Sequence, residues 1–131
     1  MRRIIPAIML LSLFAAPSFA ADAVVKQVTS QALGNAPGQK LTALTVHYPP
    51  GGKSAAHRHA GSVFAYVLEG AIRSQNSATG PARVYKAGES FFEPEGSTHL
   101  VSENASATEP ATLLAVIVAP DGATLTMPAG K

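Results

Sequence analysis

The 131-residue chain contains no cysteine and no tryptophan. Without cysteine there can be no disulfide, iron–sulfur cluster, thiolate zinc site or cysteine nucleophile, so any metal must be held by nitrogen and oxygen. Charge is also scarce, at 14% of residues against 47% hydrophobic, a balance foreign to a disordered chain. Beyond the N-terminus no stretch repeats its apolar residues at helical spacing, and no internal repeat or interdomain linker is visible. The length suits one domain and argues against two.

Residues 1–20 have a composition of their own. Arg2 and Arg3 precede a run from Ile4 to Ala16 that only Pro6 and Ser12 interrupt, and Pro17, Ser18 and Ala20 follow. A basic start, an apolar stretch of about 13 residues and small residues at −3 and −1 of a cut after Ala20 form the layout of an export signal. The run falls short of the roughly 20 residues that span a bilayer, so no stable membrane anchor is expected after cleavage. Residues 21–131 are expected to be the mature domain, with a core at about 38–122, in the periplasm or secreted. The formal charge of +2 belongs to the leader, because the mature chain carries eight basic and eight acidic residues. With its basic residues scattered, it offers no footprint for nucleic acid.

Short apolar or alternating runs divide the mature chain: Val24–Val28, Leu41–Tyr48, Val63–Leu68, Arg83–Lys86, Ser90–Glu93, His99–Glu103 and Leu113–Ala119, with Ala71–Ser74 as a hairpin return after Gly70. Turn chemistry at Pro49-Pro50-Gly51-Gly52, Ala87-Gly88, Pro94-Glu95-Gly96 and Asp121-Gly122 separates them. Seven or eight short strands without helices predict an all-β sandwich or barrel. Val63–Leu68 and Leu113–Ala119 are apolar on both faces and are expected to be interior strands. Phe91 and Phe92 are expected in the core, and the tail from Thr124 is expected to be loosely ordered.

Four histidines are present: His47, His57, His59 and His99. On a strand the i, i+2 spacing of His57 and His59 sends both rings to one face, about 6.6 Å apart at Cα. Two imidazoles so placed can converge on one ion, and His99, just beyond the Pro94-Glu95-Gly96 turn, is the natural third ligand. The pair alone is equally compatible with a solvated loop. Imidazole accepts Fe, Zn, Mn, Ni and Cu without choosing among them.

Gly51-(five residues)-His57-Arg58-His59, followed by Gly70, resembles the first motif of the cupin superfamily. Gly88-(five residues)-Pro94-Glu95-Gly96-Ser97-Thr98-His99 resembles the second. The resemblance implies a small single-domain cupin β-barrel, a double-stranded β-helix or jelly roll, with His57, His59 and His99 as ligands to a divalent transition metal. Two departures accompany it. The first motif's glutamate falls at Val63, or at Phe64 with a longer gap, and neither can ligate. The second motif's asparagine falls at Glu103, with Asn104 one step later. Three-histidine sites without the glutamate resemble those of thiol and diketone dioxygenases, although thiol dioxygenases carry elements for which this chain has no room.

Other side chains are candidates for a supporting or substrate-contacting role. Glu93 and Glu69 are carboxylates beside turns. Glu103 shares a strand face with His99 in regular register, but at about 13 Å. His47 ends a strand and reads either as a capped, exposed imidazole or as a group facing the cavity. Tyr66 and Tyr85 read as core rings or as acids, and Arg73 and Gln75 as cavity mouth or solvated edge. The expected function is a metal-dependent, dioxygenase-like oxidoreductase acting on a small molecule. The alternative is a cupin that binds a metal or small ligand without turnover. The open sheet face that a small barrel leaves predicts a homodimer.

Overall fold

The computed structural model describes residues 22–130, so the export signal and its cut after Ala20 lie outside the described residues. The described chain is all-β. Its strands are β1 (Val24–Ala32), β2 (Gln39–Tyr48), β3 (Lys53–Ser54), β4 (His57–His59), β5 (Ser62–Glu69), β6 (Ala71–Asn76), β7 (Arg83–Lys86), β8 (Ser90–Glu93), β9 (Thr98–Asn104), β10 (Ala111–Pro120) and β11 (Thr126–Pro128). No helix among the described residues is long and apolar enough to cross a membrane.

Two antiparallel sheets face each other as a jelly roll. One runs β1-β2-β10-β5-β8; the other runs β11-β4-β9-β6-β7, with β3 also on β9. Period-two alternation decides which side chains enter between them. Val63, Ala65 and Val67 of β5 point inward, as do Ala111, Leu113, Ala115, Ile117 and Ala119 of β10, and they pack with Tyr48 and Ile72. Burying each of the larger aliphatic side chains contributes about 1.5–3 kcal/mol.

The expected interior strands are interior: β10 lies between β2 and β5, and β5 between β10 and β8. Their outer faces, however, remain open. Phe64, Tyr66, Leu68 and Phe92 are exposed, so of the Phe91-Phe92 pair only Phe91 packs against the core. Nor is β6 the hairpin partner of β5. Both edges of β5 are occupied, and Gly70, at φ 69°, turns the chain into the opposite sheet. A side chain at Gly70 would also run into the Pro110 carbonyl, which explains the glycine. The tail is likewise more ordered than expected: Thr126–Pro128 pairs with His59–His57 as β11.

Candidate metal centre

The short strand β4 carries His57 and His59, and its pairing with β9 sets His57 opposite His99. Each of the three imidazoles offers one nitrogen, and these nitrogens lie within 4.8 Å of one another. The ring centroids of His57 stand 4.8 Å from His59 and 5.0 Å from His99. Donors at about 2.1 Å on one ion stand about 3.0–3.4 Å apart at ordinary coordination angles, so the cluster has the scale of a metal site, with its widest pair drawing in by about 1.4–1.8 Å on loading.

Backbone contacts select which nitrogen is free. His57 Nδ1 donates to the Ala55 carbonyl at 2.7 Å, and His59 Nδ1 donates to the Leu125 carbonyl at 3.1 Å, with Thr126 Oγ1 at 3.2 Å. A carbonyl only accepts, so the proton on each ring sits at Nδ1 and Nε2 is the nitrogen left to ligate. His99 is 4% exposed and held at both ends: Nε2 meets Ser74 Oγ at 2.8 Å, and Nδ1 meets Glu93 Oε1 at 2.8 Å. The donor set therefore fits a divalent transition metal: three imidazoles, all held by outer hydrogen bonds, two of them through Nδ1 with Nε2 unengaged by any such bond.

Burial is the main influence on His59. It pushes the ring below its ordinary value, although the Glu93 carboxylate pulls the other way. Burial also opposes ionisation of Glu93, but the hydrogen bond and charge of His99, the nearby His59 and Asn76 outweigh it and hold the carboxyl below its usual range. At neutral pH the group is a carboxylate facing a neutral His59.

The cluster forms part of the wall of a cavity of about 500 Å³. Leu44, Val46, Ala65, Phe91, Leu113 and Ala115 make its apolar side. Tyr48 sits deep in it, its OH 2.6 Å from Ser102 Oγ and 3.1 Å from Ser54 Oγ, and burial pushes its phenol further up.

The remaining candidates from the sequence lie elsewhere. His47 is exposed and bonds Thr112 Oγ1 at 3.0 Å. Tyr66 is on the open outer face. Gln75 alternates with the inward Ser74 and Asn76 and so faces away from the cavity. Glu69 sits beside Thr112, and Tyr85 stacks on Phe91 at 4.9 Å.

Glu103 does not share a face with His99. The β6–β9 register slips between Gln75 and Asn76, which pair with Val101 and His99 and leave Leu100 extra. This bulge reverses the alternation, so Glu103 points out to Arg73 at 3.2 Å while Ser102 and Asn104 turn inward. Asn104, one step beyond the motif position, then donates to the carbonyls of Pro49 and Glu109 and ties down the loop before β3. Sequence reasoning missed the supports Ser74, Leu125 and Thr126, because nothing in the local sequence marks them.

Residues 44–117, more than half of the chain, match the cupin domain family. The chain is a cupin. No curated protein matches its sequence. Among solved structures, this cupin is similar to an uncharacterized conserved protein with a double-stranded β-helix domain from Klebsiella pneumoniae (23% identity, TM-score 0.64, covering 88% of this chain and 90% of that one). It is also similar to an oxalate oxidase in complex with the substrate analogue glycolate (20%, 0.61, 80% and 54%). A third is the DMSP lyase DddQ from Ruegeria pomeroyi (23%, 0.58, 70% and 45%). At these identities the likeness is one of fold.

Proposed function

We propose that this cupin holds one divalent transition metal ion on His57, His59 and His99 and acts on a small, largely apolar molecule in the adjoining cavity, as a dioxygenase-like oxidoreductase. The observation that carries the reading is the convergence of three oriented imidazoles on the wall of an apolar cavity that leaves one side of them free. A metal there supplies a Lewis acid and, for a redox-active ion, electrons for O₂ chemistry. The chain's own residues do the rest. Leu44, Val46, Phe91 and Leu113 exclude water, and the mutually bonded hydroxyls of Tyr48, Ser54 and Ser102 supply the polar contact that orients a carbonyl or hydroxyl. A molecule of up to drug-like size fits about 500 Å³. Two relatives in fold, an oxalate oxidase and a DMSP lyase, support an enzymatic role without choosing the substrate.

A second reading is a cupin that binds a metal or small ligand without turnover. Its support is that the three cavity hydroxyls are satisfied by one another and that Glu93 is already engaged with His99. Metal analysis of protein purified from its native compartment, followed by O₂ uptake with diketones and thiols, separates the readings. Bound iron with substrate-dependent uptake supports the enzyme. Tight ligand binding without uptake supports the binder. Absence of metal, with ligand binding and stability unchanged in His57→Ala, removes both.

The same proposal includes export and dimerisation. The leader-like residues 1–20 support export of the mature chain to the periplasm or outside the cell, which N-terminal sequencing of the mature protein tests. Across the open sheet, Phe64 pairs with Phe92 on one side and with Val116 on the other, an uncharged row that a second copy covers about a two-fold axis.

A further inference from the structure

The first motif's carboxylate position is occupied by Val63, which is buried and cannot ligate. Across the β5–β8 ladder, Val63 is paired directly with Glu93. Facing residues of an antiparallel pair present their side chains to the same side, and Glu93, from the opposite sheet to the histidines, projects into the cavity, where it is 4% exposed. Its Oε1 is 2.8 Å from His99 Nδ1 and its Oε2 is 3.7 Å from His59 Nε2. These spacings bracket the roughly 3.0–3.4 Å that separates neighbouring donors on one ion at about 2.1 Å. The contacts also differ in kind. Asn76 Nδ2 adds a 3.4 Å bond to Oε1, whereas Oε2 accepts no hydrogen bond from a described residue and has His59 Nε2 as its ionic neighbour. A buried carboxylate oxygen that faces a metal-ligand candidate and accepts no hydrogen bond from a described residue has lone pairs to give to an ion.

We propose that Glu93 is the fourth protein ligand of the metal, so that the carboxylate of this site comes from β8 instead of β5. The inference rests on the three-histidine reading above. It makes the donor set three imidazoles and one carboxylate, which lowers the net charge at the metal by one. His99 ligates through Nδ1, the nitrogen facing Glu93. Its Nδ1 proton then passes to Nε2, where Ser74 Oγ accepts it; a hydroxyl can serve as donor before loading and acceptor after.

The test uses the mature protein loaded with Co(II), whose visible absorption reports coordination, and with Zn(II) in chelator competition. Glu93→Gln keeps the size and an acceptor for His99 Nδ1–H but loses the charge. A Zn(II) affinity more than about a hundredfold weaker, beyond the range that loss of an outer hydrogen bond gives, with an altered Co(II) spectrum, supports the ligand role. A smaller loss with an unaltered spectrum overturns it and leaves Glu93 as a residue that only orients His99, for which losses of about 10–100-fold are ordinary. Should Glu93→Gln fold poorly by circular dichroism, the exchange Val63→Glu with Glu93→Val serves instead. Zn(II) binding at least tenfold tighter than in Glu93→Val alone supports the proposal, and no gain overturns it. Failure of the three-histidine reading looks different, because wild type and His57→Ala would then bind Zn(II) equally weakly.

Discussion

Replacing Ser74 with alanine removes one atom that touches nothing in the cavity, yet it is expected to weaken metal binding. Ser74 is 5% exposed and His99 4%, and their 2.8 Å contact is the only anchor of His99 Nε2 among the described residues. Removing the hydroxyl leaves a buried nitrogen unpaired, at a cost of about 1–3 kcal/mol. For a domain of this size that lowers the Tm by roughly 4–12 °C. Metal binding suffers separately. With Nε2 unsupported, the ring loses its partner for the tautomer in which Nδ1 is bare, and loss of such an outer hydrogen bond typically costs 10–100-fold in affinity. The assay is Zn(II) competition against a chromophoric chelator, with thermal melts of the metal-free protein alongside. Ser74→Thr, which keeps the hydroxyl, should recover most of the affinity. If Ser74→Ala binds Zn(II) within twofold of wild type, the reasoning that hydrogen bonds outside the ligand set orient these imidazoles is refuted.

Three further outcomes are expected. Folding holds His59 below its ordinary value of 6.5 and Glu93 below 4.5, so in both cases the unfolded chain binds protons first as pH falls. The metal-free protein should therefore lose stability on acidification, first below about pH 6.5 and again below about pH 4.5, and a melting series with His59→Asn should lack the upper step. Deleting residues 124–130 removes β11 and the Leu125 carbonyl that fixes His59, so Zn(II) affinity should drop by about tenfold while the sheets stay folded by circular dichroism. Phe64→Glu with Phe92→Glu puts like charges into the open face, and sedimentation should then show a monomer where wild type sediments as a dimer.

Much of the fold can be read from local residue pattern. Alternation placed β7 and β8 to the residue and the longer strands to within a few, because a half-buried strand must alternate and glycines must take the turns. The histidine pair reads the same way, since i, i+2 spacing has a fixed meaning on any strand. Pairing across the molecule is less legible. Nothing around Gly70 tells that β6 leaves β5 for the other sheet; both edges of β5 are taken by strands distant in sequence. The face of Glu103 was misread because a bulge at Leu100 depends on how β9 meets β6. The tail looks structureless on composition, and only the free edge of β4 gives it a partner.

The sequence by itself determined that the described chain would be all-β, that any bound metal would be held by nitrogen and oxygen, and that His57, His59 and His99 were the residues to watch. These follow from period, composition and spacing, which are local. Tertiary structure alone decided which ring nitrogens are free, that Ser74, Leu125 and Thr126 brace the rings, and that Glu93 and not Glu103 faces them. Each of these depends on register between strands far apart in the chain, and a shift of one residue turns a side chain from the cavity to the solvent.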